Sequence, residues 1–270
     1  MRYHRFHARP PALACVEEEE RHMSASYGAG SNRRVVITGA SSGIGLDAAR
    51  RFVRAGDRVL VNGRNGAKLA EAASRLEGGE RVAVVAGDTA LPETAGRIAD
   101  VARERWGGVD VLVNSAGIFA PKPFLETTLE DLRRFIGTNL EGTYLVTQAI
   151  VPLMIAAGGG AIINVGTVYV NQARMDVPVS AAMASKGGLH ALTVSWAAEL
   201  ARHGIRVNTL APGIVRTPLM GDHPDGMAAW HPLGRIGEVS DTSEAMLYLA
   251  GASFVSGTVL AVDGGYSSGR

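Results

Sequence analysis

The stretch of this 270-residue chain whose residue types most directly imply chemistry is Thr38-Gly39-Ala40-Ser41-Ser42-Gly43-Ile44-Gly45. Glycines at a turn from strand to helix let the backbone approach a pyrophosphate closely. The helix N-terminus offers the same anion free N–H groups and a partial positive charge. Gly39, Ser41, Ser42, Gly43, Ile44 and Gly45 are therefore candidate phosphate contacts. Their spacing, Gly-x3-Gly-x-Gly, differs from the commoner Gly-x-Gly-x2-Gly fingerprint, so the glycines alone do not establish a dinucleotide ligand. The next apolar run ends Val61-Asn62-Gly63-Arg64. An acidic residue there would bond a ribose 2′-hydroxyl; Arg64 suits a 2′-phosphate instead, which favours NADP(H) over NAD(H). A solvated surface arginine is the plainer alternative. Asp88, in Gly87-Asp88-Thr89, is placed to accept from an adenine amino group or to be a turn residue, with Thr89 beside it. In Asn114-Ser115-Ala116-Gly117 the small residues let a cofactor lie close to the backbone, making Asn114, Ala116 and Gly117 further candidates.

These turns need elements to carry them. From Arg34 onward, short β-branched runs alternate with amphipathic, helix-length segments. Strands are predicted at Val35–Thr38, Val59–Asn62, Val82–Ala86, Val109–Val113, Ala161–Val165, Ile205–Leu210 and Val259–Val262. Helices are predicted at Ile44–Ala55, Ala67–Leu76, Pro92–Trp106, Ala181–Arg202 and Val239–Ala250, with Leu129–Ala156 as one extended helix. Strands apolar on both faces and alternating with helices imply a parallel sheet covered on both sides. The expectation is one α/β domain over 34–270, a Rossmann-type doubly wound sheet of about seven strands. Ligands of such sheets sit outside the carboxyl ends of the strands, where each of these turns falls.

Composition narrows the classes. The apolar share is 46%, enough for a substantial core. A formal net charge of +1 gives no broad basic field, so nucleic acid is not an expected partner. Cys15 stands alone, which excludes an intramolecular disulfide and a cysteine-based zinc site; no metal cluster is expected. No apolar run reaches the roughly 18 residues of a membrane span, and the expected location is cytoplasmic. Residues 1–33, with the block Glu17–Glu20 and a small, polar stretch after it, read as a disordered extension, with Met23 as an alternative start.

With these motifs in order, the chain resembles the short-chain dehydrogenase/reductase family, and its ketoreductase and 3-oxoacyl reductase-like members in particular. The resemblance runs from Arg34 to the C-terminus. It rests on the glycine turn, Asn114-Ser115-Ala116-Gly117, Asn139 in Thr138-Asn139-Leu140, Lys186, Pro212-Gly213-Ile214-Val215-Arg216-Thr217 and Val262-Asp263-Gly264-Gly265. It implies hydride transfer between a nicotinamide and an alcohol or carbonyl carbon. It implies that Asn139 feeds a proton relay and that Thr167 stands where the family has a serine polarising the substrate oxygen. Lys186 is implied to bind the nicotinamide ribose and to lower a tyrosine's pKa by its charge. Pro212, Gly213, Val215 and Thr217 are implied to border the cofactor.

The family tyrosine belongs four residues before the lysine, on the same helix face. Here that residue is Ala182, whose methyl carries no proton, and a positioned acid/base group is typically worth about 10²–10⁴ in rate. Three readings stay open. The chain is a deliberate Tyr→Ala variant, a natural oxidoreductase with another proton donor or an iminium-type substrate, or a nucleotide-binding scaffold without turnover. Tyr169 is a candidate substitute or a packed aromatic. Ser180 reads as a helix cap. Asp176, His223, Trp230 and His231 lie in the loop and lid region, His being able to titrate near neutrality. The helices over Leu129–Ala156 and Ala181–Arg202 are apolar on more than one face, and a homo-oligomer, dimer or tetramer, is expected around a small-molecule site.

Overall fold

Runs such as Val35-Val36-Ile37 and Val111-Leu112-Val113 are too short for a helix and rich in β-branched residues, so they extend and pair. In the computed structural model, which describes residues 32–221 and 224–268, they form one sheet. Its strands are β1 (Arg34–Thr38), β2 (Arg58–Gly63), β3 (Val82–Ala86), β4 (Val111–Asn114), β5 (Gly160–Val165), β6 (Ile205–Pro212) and β7 (Val259–Val262). All pairings are parallel, in the order β3-β2-β1-β4-β5-β6-β7. The chain thus winds outward from β1 to β3, returns, and winds outward again from β4 to β7. That reversal opens a crevice at the carboxyl ends of β1 and β4.

The connecting helices are α1 (Gly43–Arg54), α2 (Gly66–Ser74), α3 (Pro92–Trp106), α4 (Leu129–Ile136), α5 (Gly142–Ala156), α6 (Ser180–Leu200) and α7 (Val239–Gly251). Strand period 2 divides the core. Val36, Leu60, Leu112, Ile162 and Val207 pack against α3, α5 and α6. Val35, Ile37, Val59, Val61, Val111 and Val113 pack against α1, α2 and α7. Fully buried anchors such as Phe52 and Ile150 each contribute roughly 1.5–3 kcal/mol of burial.

The amino ends of the strands are held by ion pairs. Arg33 donates to Asp57, which is fully buried, through its guanidinium at 2.8 Å and its backbone N–H at 2.9 Å. Arg34 forks onto Asp110 at 2.8 and 2.6 Å. Burial pushes the Asp110 carboxyl up, but the Arg34 hydrogen bonds outweigh this and hold it below its ordinary range.

Several boundaries differ from the sequence expectation. The expected single helix over Leu129–Ala156 is continuous but not uniform: a π-helical turn, Gly137–Glu141, separates α4 from α5. Its surplus residue lets Asn139 turn inward, and the Thr143 hydroxyl donates to the Asn139 carbonyl at 3.0 Å. Ser180 is not a cap. Val179 holds that position without a side-chain bond, and Ser180 is the exposed first residue of α6. The disordered extension expected over 1–33 lies, through residue 31, outside the described residues. Asn32 and Arg33 are hydrogen-bonded to Arg58 and Asp57. Among the described residues no helix is long and apolar enough to cross a membrane, and no group of acidic, His or Cys side chains is placed to hold a metal.

Candidate active site

A cavity of about 530 Å³ runs along the carboxyl edge of the sheet, from the turns after β2 and β3 to the loops after β5 and β6. The glycine turn forms its floor. Gly39 has φ +67°, and a Cβ there would lie 2.7 Å from the backbone of Ala116. A Cβ on Gly45 would lie 2.6 Å from the Gly39 carbonyl. A side chain at Gly45 would push α1 off the glycine turn itself, and one at Gly39 would push apart the turns after β1 and β4. Those turns are joined by Thr38, whose Oγ1 accepts from the Ser115 and Ala116 N–H groups, both at 3.1 Å. The α1 N-terminus, which opens on the cavity, has no side-chain cap from Ser42 and no acidic residue in its first turn. Its leading N–H groups suit an anion, which is the requirement a dinucleotide pyrophosphate sets.

At the β2–β3 end stand Arg64, Asn65, Lys68 and Asp88. Arg64 is exposed, and among the described residues its guanidinium makes no ion pair or hydrogen bond. Asn65 caps α2 by accepting from the Lys68 N–H at 3.0 Å, which fixes where the Lys68 side chain starts. Asp88 borders the cavity and also holds its own turn, with Oδ1 accepting from Ala90 N–H at 3.1 Å. Asn62 ties β2 to β3 by donating to the carbonyls of Val85 and Gly87 at 2.9 and 3.1 Å.

The β5 end holds Thr167, Tyr169, Ala182, Met183 and Lys186. Asn139 lies behind this wall, fully buried. Its Oδ1 accepts from Ile118 N–H at 2.8 Å, and its Nδ2 donates to the Ile118 carbonyl at 3.1 Å and to Ser185 Oγ at 2.9 Å. Ser185 in turn donates to the Ala182 carbonyl at 2.7 Å. The side chain therefore splices the loop after β4 to α6. Lys186 Nζ donates to the Val165 carbonyl at 2.6 Å, and burial pushes its ammonium down to about 8. Thr167 Oγ1 accepts from Tyr169 N–H at 3.3 Å. Tyr169 is buried between Phe119 and Tyr266, with ring centroids at 6.4 and 5.4 Å. Burial first, and then the hydrogen-bonded Tyr266, raise its phenol well above the usual range.

The cavity gathers the sequence-predicted residues of the glycine turn, Arg64, Asp88, Thr89, Ala116, Gly117, Thr167, Lys186, Pro212, Gly213, Val215 and Thr217. Asn114 is not among its lining residues. Its Nδ2 donates to Thr147 Oγ1 at 3.0 Å and Asn164 Oδ1 at 2.9 Å, in a buried polar ladder continued by Asn164, Thr193 and Thr209. Its part is to tie the edge of the sheet together beneath the cavity. Asn139 likewise acts from behind the wall. Of the candidate substitute acids, His231 is buried with both ring nitrogens turned to backbone, accepting from Ile214 N–H at 3.2 Å and facing the Met227 carbonyl at 3.2 Å. Asp176 is engaged by Arg174 at 2.8 and 2.7 Å, and Arg174 stacks 3.9 Å from the Trp230 ring centroid. His223 lies outside the described residues.

Residues not foreseen from sequence include Lys68, Phe119 and Met183 on the cavity wall and His190 behind it. Lys68 stands in the sequence as a second cation close to Arg64. His190, one turn beyond Lys186, carries a buried Nε2 without a hydrogen-bond partner; it fills the space a side chain at Gly166 would need. Burial, then the Lys186 charge, push its imidazole down.

The family model described as enoyl-(acyl carrier protein) reductase matches residues 39–267. The galactitol 2-dehydrogenase (L-tagatose-forming) of Cereibacter sphaeroides is 39% identical over 239 residues, covering 86% of this chain and 93% of that protein. The cis-4-hydroxycyclohexanecarboxylate dehydrogenase of Sinomonas cyclohexanicum is 39% identical over 249 residues, covering 88% and 98%. The crystal structure of a short-chain type dehydrogenase/reductase from Mycobacterium marinum superposes with a TM-score of 0.86 at 32% identity, covering 91% of this chain and all of that one.

Proposed function

The chain belongs to the short-chain dehydrogenase/reductase family, oxidoreductases of alcohol and ketone type substrates, and on that premise we propose that it is an NADP(H)-dependent oxidoreductase with an atypical proton donor. Its substrate is a small carbonyl or alcohol, or the corresponding imine or amine. The observation that carries this reading is one continuous cavity. It has an uncapped helix N-terminus and Arg64 toward one end and Lys186 with Thr167 at the other. When bound, a nicotinamide dinucleotide supplies or takes up the hydride.

The residues of the chain divide the remaining work. Gly39, Ser41, Ser42, Gly43, Ile44 and Gly45 bind the pyrophosphate through backbone N–H groups. Arg64, with Lys68 nearby, selects a 2′-phosphate by a charge-assisted hydrogen bond. Asp88 and Thr89 border the adenine, and Ala116, Gly117, Pro212, Gly213, Val215 and Thr217 line the path to the nicotinamide pocket. Thr167 orients the substrate oxygen with its hydroxyl. Asn139 fixes the loop that carries Gly117 and Ile118. Ala182 supplies no proton, which sets this chain apart from the family pattern. Tyr144 and Val194, exposed on α5 and α6, give two copies an apolar face on which to pair, as a dimer or tetramer.

Titration calorimetry with NADPH and NADH, followed by stopped-flow turnover with carbonyl and imine panels, tests the reading. NADPH should bind the tighter. Arg64→Ala should weaken NADPH by about 10–100-fold, the worth of one charge-assisted hydrogen bond, and leave NADH nearly unchanged. Equal affinities for both cofactors would overturn the preference, and tight binding without any turnover would leave a scaffold in place of an enzyme.

A further inference from the structure

The cavity carries five ionisable side chains in two groups. Arg64, Lys68 and Asp88 follow β2 and β3, and Tyr169 and Lys186 stand at the β5 end, across β1 and β4 in the sheet order. Only the second group is placed near the substrate end, on the opposite side from the cations that suit phosphate. Tyr169 shares its hydroxyl with Tyr266, and its raised phenol is both a weak proton donor and, being protonated, no base at working pH. Lys186 has the reverse properties. It borders the cavity, and among the described residues its ammonium makes one hydrogen bond, to the Val165 carbonyl. An ammonium has three N–H donors, so the others are available. A Cβ on Gly117 would lie 3.4 Å from its Nζ, which places the nitrogen directly against the backbone that floors the cavity. Ala182 and Lys186 share one helix face, so no atom beyond a methyl at 182 projects from that face beside the lysine.

We infer that Lys186 is itself the catalytic acid and base of this chain, exchanging a proton with the substrate oxygen or nitrogen in the space beside Ala182. The inference rests on the proposed hydride-transfer function. In reduction, as the carbonyl carbon gains hydride, an N–H bond of the ammonium breaks and the alcohol O–H bond forms. The neutral amine is then reprotonated from water, so that carbonyl, reduced dinucleotide and one proton give alcohol and oxidised dinucleotide. In oxidation the neutral amine takes the hydroxyl proton as the carbon loses hydride. Both forms of the amine must be accessible, and burial alone brings that about by lowering the ammonium to about 8. The titratable groups packed near it are Tyr169, from the loop after β5, and His190, one turn on along α6. Asn139 and Ser185, the other polar side chains behind this wall, do not titrate.

The full chain is tested in three measurements. Competitive acetylation of Lys186 read by mass spectrometry, without cofactor, should show half-maximal reactivity near pH 8. With NADPH or NADP⁺, kcat should fall through that pH in reduction and rise through it in oxidation. Lys186→Ala should lower kcat by about 10²–10⁴, and added alkylamines should restore rate in proportion to amine basicity, which a purely structural lysine would not allow. Failure of the wild type to bind or turn over nicotinamide cofactor overturns the functional reading, and this inference with it. Turnover with a profile that Lys186→Ala leaves in place, or the absence of amine rescue, overturns this inference alone. If Tyr169→Phe and not Lys186→Ala removes the pH dependence, the phenol is the donor and the assignment to lysine falls.

Discussion

Thr38→Val isolates one of the joints on which the cavity floor depends. The two side chains have nearly the same shape, so the core loses little packing and no cavity opens. What is lost is a single oxygen that accepts two N–H groups, from Ser115 and Ala116, at 3.1 Å each. Thr38 is 2% exposed, so water cannot readily replace that oxygen. A net hydrogen bond is worth about 1 kcal/mol, and a donor left buried without a partner costs about 1–3 kcal/mol. Two donors in a partly buried turn should therefore cost about 2–4 kcal/mol. For a domain of this size each kcal/mol moves the midpoint by roughly 2–4 °C, so Tm should fall by about 5–15 °C. Thr38→Ser, which keeps the oxygen and removes a methyl, should cost much less. Denaturant and thermal unfolding of the three proteins at one protein concentration provide the measurement. NADPH affinity should weaken as well in the valine variant, because the loosened turn carries Ala116 and Gly117. A loss below about 0.5 kcal/mol for valine, or equal losses for serine and valine, would show that Thr38 does not fasten the two turns together.

Two further outcomes concern the wall around Lys186. Its folded-state pKa, about 8, lies below its ordinary 10.5, so below pH 8 the folded state carries the full cost of the buried charge. Between these values the unfolded chain binds more protons than the folded one, and stability rises with pH. Lys186→Met should accordingly stabilise the cofactor-free protein at pH 7, with an advantage that shrinks toward pH 10.5; denaturant midpoints that differ by a constant amount across this range would contradict it. Behind the wall, a methyl at Gly166 would collide with His190 Nε2 and lie 2.5 Å from Thr209 Cγ2. Gly166→Ala should cost about 1–3 kcal/mol, and adding His190→Ala should recover part of this, with a coupling of at least about 0.5 kcal/mol in a double-mutant cycle. Strict additivity would mean that the ring and the glycine are not matched.

The strands are legible in the sequence because both of their faces are buried, which leaves runs such as Val35–Ile37 and Val59–Val61 apolar without alternation. The glycine turn is legible because its backbone passes so close to another turn that a Cβ on Gly39 would lie 2.7 Å from the Ala116 backbone, a demand only glycine meets. That Ala182 stands beside Lys186 is legible for a different reason: helical spacing fixes which residue shares a face with the lysine. The π-helical turn is not. A surplus residue changes the phase of a helix without changing its composition, and the run from Leu129 to Ala156 reads as one helix either way. Asn114 does not line the cavity, and this is not legible: the small residues after it suggest a cofactor contact, while its partners, Thr147 and Asn164, lie far off in sequence. His190 gives no signal of its own, since its meaning depends on Gly166, 24 residues earlier. Ser180 fails as a cap because the helix starts one residue sooner than that role requires: Ser180 is already its first helical residue, and Val179, with φ −137° and ψ 26°, stands at the cap.

The Arg33–Asp57 and Arg34–Asp110 pairs bear on how this protein tolerates change. They fasten β1 to the segments leading into β2 and β4, at the edge of the sheet remote from the cavity. Strand register is thus anchored at the edge opposite the cavity, so exposed positions within residues 168–179 or 218–234 can change without renegotiating the pairing of the strands. A library confined to the exposed positions of those loops should return mostly folded proteins, whereas the same number of changes around residues 33, 57 and 110 should not. The two edges of the sheet would accordingly drift at different rates, one recording the history of the substrate and the other that of the fold.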